Sequence, residues 1–146
     1  MPKGPTMKIS DVMTPNPKTV KPTDDIQVAA RIMRDEDAGS VPVVQDGRVV
    51  GMITDRDIVV RAVADGDFDC TVEDIATDDV IFANPDMTTA EGAELMSEHQ
   101  VRRLPVVDED DRLVGIVSLG DLAVKEGRDA RTGETLENIS EGVKRH

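Results

Sequence analysis

Aromatic side chains are almost missing from this sequence. It has no Trp and no Tyr, and Phe68 and Phe82 are the only aromatics among 146 residues. Proteins that hold single-stranded nucleic acid stack bases on aromatic platforms, and that mode has no supply of side chains here. Basic residues are outnumbered as well: 17 Lys and Arg stand against 30 Asp and Glu, a net charge of −13. Such a field repels the phosphates of nucleic acid and of anionic membranes, so neither is expected as a general partner. With one cysteine, Cys70, there is no intramolecular disulfide framework, and the residue reads as a small, semi-buried filler in a cytoplasmic protein. No apolar run approaches the roughly 18 residues of a membrane helix. Met1-Pro2-Lys3-Gly4-Pro5 has no apolar stretch behind it, so no signal peptide is predicted. The two histidines, His99 and His146, join no cysteine cluster, and there is no nucleophile elbow or P-loop. No catalytic arrangement, no metal site and no required cofactor are predicted.

What the sequence does contain is a repeat. Residues 41–57 read V-P-V-V-Q-D-G-R-V-V-G-M-I-T-D-R-D, and residues 104–121 read L-P-V-V-D-E-D-D-R-L-V-G-I-V-S-L-G-D. Upstream the match continues in register: Asp11-Val12-Met13-Thr14 falls on Asp74-Ile75-Ala76-Thr77, Pro22 on Pro85, Met33 on Met96 and Pro42 on Pro105. The second copy carries one extra turn residue, after which Gly51 meets Gly115, Thr54 meets Ser118 and Asp57 meets Asp121. Each copy is roughly sixty residues, a size at which a lone core is marginal. Residues 7–124 therefore read as one pseudo-symmetric module. Its parts are a flexible N-terminus (1–6), a first repeat (7–66), a second repeat (67–126) and a polar tail (127–146), with a short helix or disorder expected around Glu134–Ile139.

Each copy reads as strand, helix, strand, strand, helix. In the first, Lys18 to Val20 is β-prone, and Thr23-Asp24-Asp25 offers a polar cap and early acid for a helix carrying Ile26, Ala29, Ala30 and Met33. Val41 to Val44 is a buried strand entered through Pro42, Asp46-Gly47 a hairpin turn, and Val49 to Ile53 the returning strand. A second helix opens at Thr54 and runs to about Ala64. In the second copy Ile81-Phe82 is the first strand. Thr88 or Thr89 caps a helix with Ala90, Ala93, Leu95 and Met96. Leu104 to Val107 and Leu113 to Val117 are the paired strands, and Ser118 opens the last helix, through Val124. The acidic runs Asp35-Glu36-Asp37 and Asp108–Asp111 fall at turns, the latter a solvated hairpin lacking the Gly and distal Glu of a calcium loop.

One constellation could carry chemistry: Thr54 with Asp57, and Ser118 with Asp121, each directly after an apolar strand. Ser/Thr-x-x-Asp is also a capping box, which needs no ligand. Its recurrence at matching positions, and a Gly-x-x before each pair that leaves room for a close approach, favour something more. A hydroxyl with free helix-start amides suits a phosphate, and a carboxylate suits a ribose diol. Arg102 and Arg103, at the entry of the strand beginning Leu104-Pro105, either clamp a phosphate or form a solvated pair. The first copy has Gly39-Ser40 there, with Arg56 as the obvious basic substitute, so two sites, if used, are predicted to be unequal.

These residues resemble the cystathionine-β-synthase (CBS) domain family, as the tandem pair called a Bateman module. The resemblance covers about residues 7–124. It rests on Asp11-Val12-Met13-Thr14-Pro15, on the two Pro-Val-Val strands, and on Gly51 to Asp57 with Gly115 to Asp121. It is similar to the small stand-alone members. The resemblance implies an α/β (α+β) fold in which two pseudo-twofold-related repeats pack through their sheets. It also implies two clefts between the repeats that take an adenosine ligand such as AMP, ADP, ATP or S-adenosylmethionine. The family's ribose acid falls on Asp57 and Asp121, its hydroxyl partner on Thr54 and Ser118, and its basic residue on Arg103, with Arg102 beside it. Thr19 and Val20, and Phe82 and Ala83, would line the base pocket. A homodimer and an unidentified effector protein are the implied partners. The expected function is a non-enzymatic regulatory sensor; the alternative is a constitutive dimerisation scaffold with ligand-free clefts.

Overall fold

The computed structural model describes residues 7–123. Along the chain lie α1 (Ile9–Val12), β1 (Thr14–Pro15), α2 (Ile26–Glu36), β2 (Ser40–Gln45), β3 (Arg48–Thr54), α3 (Asp55–Ile58) and a π-helical turn (Val59–Val63). They are followed by α4 (Val72–Ile75), α5 (Thr89–His99), β4 (Arg103–Val107) and β5 (Leu113–Ser118). Residues 119–123 are helical and are called α6 here. The chain forms two compact units. One holds Pro17–Val80 with Glu109–Leu113. The other holds the described parts of Met1–Asn16, Ile81–Asp108 and Val114–His146.

In the first unit, β2 and β3 form the expected hairpin. Asp46 (φ 54°) and Gly47 (φ 82°) are both left-handed, as the two-residue turn requires. The register runs from Ser40 opposite Thr54 to Gln45 opposite Arg48, with a bulge at Val43/Val44. Helix α2 buries Ile26, Ala29 and Met33 on one stripe. Ala30 is exposed, which narrows the apolar face that the sequence pattern implies. The cap differs too. The N-cap residue is Asp25, with no side-chain capping bond and no acid in the first turn; Asp24 instead accepts from the Lys21 amide at 2.8 Å. Asp35 and Glu36 belong to the last turn of α2 rather than to the turn after it, and Asp37 closes the helix in the left-handed region.

The first strand of each copy shrinks to one bridging residue. Val20 donates to the Pro42 carbonyl at 3.1 Å and accepts from Val44 at 2.8 Å; Ala83 does the same with Pro105 (3.0 Å) and Val107 (2.9 Å). Pro22 and Pro85 follow two residues later and lack the N–H that would extend the ladder. Lys18–Val20 and Ile81-Phe82 are therefore not strands.

The short helices carry the largest surprise. Helix α4, at the start of the second copy, packs on the body of the first: the Val72 amide donates to Asp24 O (2.8 Å), and Ile26 to Cys70 O (3.3 Å). Helix α1, at the start of the first copy, packs on the body of the second: Ile9 donates to Met87 O (2.8 Å), and Thr89 to Met7 O (3.0 Å). Just beyond, Thr77 exchanges backbone bonds with Met52 (2.8 and 2.9 Å), while β1 pairs Thr14 with Ile116 in the three-stranded order β1-β5-β4. Four-residue helices do not persist alone. These are held by burial of Val72 and Ile75, or Ile9 and Val12, at about 1.5–3 kcal/mol for each large side chain. Relative to the sequence copies, the compact units exchange these segments.

Both cores are aliphatic, as the composition requires. One gathers Val20, Ile26, Met33, Val41, Val43, Ile53, Val72 and Ile75. The other gathers Ile9, Val12, Met96, Leu104, Val106, Val117 and Leu122. Cys70 sits in the first core, and burial, reinforced by Asp67, pushes its thiol above the ordinary cysteine pKa. The helix expected from Thr54 to Ala64 changes pitch at Val59: Ala64 donates to Val59 O (2.9 Å), a five-residue span. The acidic turn of the second copy is not merely solvated. Its side chains at 109–111 are exposed, but its backbone docks on the first hairpin. Val49 donates to Asp111 O (3.2 Å), Leu113 to Gly47 O (3.3 Å) and Arg48 Nε to Asp110 O (3.1 Å). Val124 and the tail helix at Glu134–Ile139 lie outside the described residues.

Candidate ligand-binding site

Strand β3 ends at Thr54, whose hydroxyl takes the Asp57 amide, one of those that the first turn of a helix leaves without an intrahelical partner. Thr54 Oγ1 accepts from Asp57 N at 3.0 Å, and Asp57 Oδ2 accepts from Thr54 N at 3.0 Å. In the other unit Ser118 Oγ accepts from Asp121 N at 3.0 Å, and Asp121 Oδ2 from Ser118 N at 3.0 Å. Both capping boxes are closed. Each box engages Oδ2 of its carboxylate.

The strand entering from the other side is tied to the same turn in both copies. Asp55 N donates to Gly39 O at 2.9 Å, and Leu119 N donates to Arg102 O at 2.8 Å. The backbone of Arg102, and Arg103 after it, is thereby fixed beside the Ser118–Asp121 box, with Arg103 half-buried at the first residue of β4. Val20 and Ala83 bridge β2 and β4 in their respective units. Both are buried, Phe82 is half-buried and Thr19 is exposed. Each unit thus holds one hydroxyl–carboxylate box and one bridging residue of the expected site; the two arginines lie in the second copy's unit alone.

One expectation is corrected. The space left by Gly51 and Gly115 is filled by the chain itself: a Cβ at either position would lie 2.9 Å from a backbone carbonyl, of Thr77 or Thr14. These glycines admit the exchanged segments, not a ligand. Asp57 also pairs with a cation that the sequence reading did not single out, Arg61. Arg61 Nε lies 3.9 Å from Asp57 Oδ1, and Arg61 Nη1 donates to Ile75 O at 3.4 Å. Asp57 is only 12% exposed there, against 56% for Arg61. The spacing that brings them together, one helical turn, was visible in the sequence. Among the described residues no group of three or more His, Cys, Asp or Glu side chains could hold a metal ion, and no helix is long and apolar enough to cross a membrane.

Residues 9–63 and 72–125 both match the family profile described as CBS domain. The CBS domain-containing protein YhcV of Bacillus subtilis is 43% identical over 133 residues, covering 90% of this chain and 94% of YhcV. The crystal structure of the CBS domain pair of protein MJ0100, in complex with 5′-methylthioadenosine and S-adenosyl-L-methionine, superposes with a TM-score of 0.77 at 32% identity. That match covers 86% of this chain and 99% of the solved one. Hypoxic Response Protein I, solved with two coordinated zinc ions, gives a TM-score of 0.73 at 36% identity, over 80% of this chain and 97% of that one.

Proposed function

The chain belongs to the CBS domain family and carries two of its domains, and from that premise we propose that it is a non-enzymatic regulatory sensor of an adenosine ligand. AMP, ADP, ATP and S-adenosylmethionine are the candidate ligands. Asp57 and Asp121 accept the ribose hydroxyls. Thr54 and Ser118 support them, and Arg103, with Arg102, takes phosphate. Thr19, Val20, Phe82 and Ala83 lie on the base side. The protein acts as a cytoplasmic homodimer whose state an effector protein reads, and ligand shifts that state only through differential affinity.

The observation that carries this reading is the matched geometry of the two boxes, each tied by one backbone bond to the preceding Pro-strand, with Arg102-Arg103 at one of them. A closed box also caps a helix without help, and this favours a second reading, a constitutive dimeric scaffold. Thermal melting of the wild type with AMP, ATP, S-adenosylmethionine and NADH separates the two. A bound ligand at about 100 times its Kd adds about 2.7 kcal/mol and raises the melting temperature. No rise with any of the adenosine compounds refutes the sensor. Arg103→Ala weakens phosphorylated ligands more than adenosine; equal weakening refutes the phosphate role of Arg103.

A further inference from the structure

The two copies distribute charge differently around their boxes. In the first copy the loop carbonyl of Gly39 accepts from Asp55 N, and the Asp55 carboxylate folds against Gly39, its Oδ2 3.3 Å from where a Cβ would sit. In the second copy those two positions are Arg102 and Leu119, joined by the same backbone bond. Gly39-Ser40 stands against Arg102-Arg103, and Asp55-Arg56 against Leu119-Gly120. The first box thus has the Asp55 carboxylate on its loop side, and Arg61 is drawn to Asp57. At the matching sequence positions the second copy has Leu119 in place of Asp55, and Arg102 and Arg103 in place of Gly39 and Ser40.

An anion approaching the loop side of the first box meets the Asp55 carboxylate, whereas the matching loop positions of the second copy are Arg102 and Arg103, and like charge at close range rejects a ligand as effectively as a favourable pair selects one. We propose that the first copy's box takes an adenosine whose 5′ substituent carries no negative charge, while the second takes a 5′-phosphorylated one. This rests on the adenosine-sensor reading and assigns a ligand class to each half of it.

Calorimetric titration with 5′-methylthioadenosine and with AMP tests the assignment, in Asp121→Asn protein, which retains the first box, and in Asp57→Asn protein, which retains the second. The first is expected to bind methylthioadenosine and to bind AMP about tenfold more weakly than the second does, the scale of one charge-assisted contact. Adding Asp55→Leu, the second copy's residue, to Asp121→Asn should tighten AMP several-fold and leave methylthioadenosine unchanged; Asp55→Asn gives the same test with less change of shape. Equal AMP affinity in the two single variants overturns the assignment and leaves the sensor standing, as does an Asp55 substitution that moves both ligands alike. No binding of either compound by the wild type overturns both.

Discussion

Replacing Gly51 with alanine should destabilise the protein through a contact 26 residues away in sequence. The new Cβ would lie 2.9 Å from the Thr77 carbonyl oxygen, well inside normal contact, and 3.7 Å from Val43 Cβ. The carbonyl cannot turn away cheaply, because it accepts from Met52 N at 2.8 Å while Thr77 N donates back at 2.9 Å. Overpacking against fixed backbone costs about 1–3 kcal/mol. Removing a strand glycine returns about 0.5–1 kcal/mol of backbone entropy. The net loss is then about 0–2.5 kcal/mol, centred a little above 1, and at that centre it lowers the melting temperature by about 2–5 °C for a chain of this length. Gly39→Ala is the control. Its Cβ would meet only the Asp55 carboxylate, at 3.3 Å, a side-chain end that can rotate, so its effect should stay within about 0.5 kcal/mol. Differential scanning fluorimetry or calorimetry reads both. If Gly51→Ala melts with the wild type, or falls no further than Gly39→Ala, then Gly51 does not exist to admit the segment at Thr77.

Thr88→Ala should cost about 1 kcal/mol in urea unfolding, because Thr88 Oγ1 accepts from Glu91 N at 3.0 Å while Glu91 reaches back to Thr88 N at 2.9 Å; no loss would mean that α5 is held without its cap. Cys70 is buried with a raised thiol pKa, so iodoacetamide at neutral pH should label it many times more slowly than after unfolding in urea; equal rates would place it at the surface. Arg61→Ala should leave the fold intact and cost under about 1 kcal/mol, since the pair to Asp57 is long and Arg61 is half exposed; a larger loss in chemical denaturation would make it a structural clamp on α4.

Much of this architecture was legible because it is written locally and then repeated. Asp46-Gly47 dictates its own turn, Thr88 and Glu91 their own cap, and the Pro-Val-Val segments their own buried strands. What failed was non-local. Nothing in Val72-Glu73-Asp74-Ile75 says that its apolar residues will be buried against the first copy rather than its own. The pattern Gly-x-x before Thr54 announced close approach but not by what, and the chain's own carbonyl was the nearer candidate. The β-prone run at Lys18–Val20 obeyed propensity, yet Pro22 left room for a single bridge. At the boxes, the spacing of hydroxyl and acid dictates a capping box, and both boxes form. Arg56 is closer to Asp57 in sequence, but helical geometry brings position i+4, Arg61, to the same face, while the approach of Asp55 to Gly39 is non-local and has no local signal.

The measurement that bears most directly on the central claim is the ligand-induced melting shift of the Asp57→Asn, Asp121→Asn double variant. Asparagine keeps an acceptor for each cap, so the ligand-free protein should melt only slightly below the wild type. It lacks the negative charge that holds a ribose diol. The account requires that adenosine compounds which raise the wild-type melting temperature leave the double variant unmoved. A shift as large as that of the wild type would mean that the two carboxylates are helix caps and nothing more.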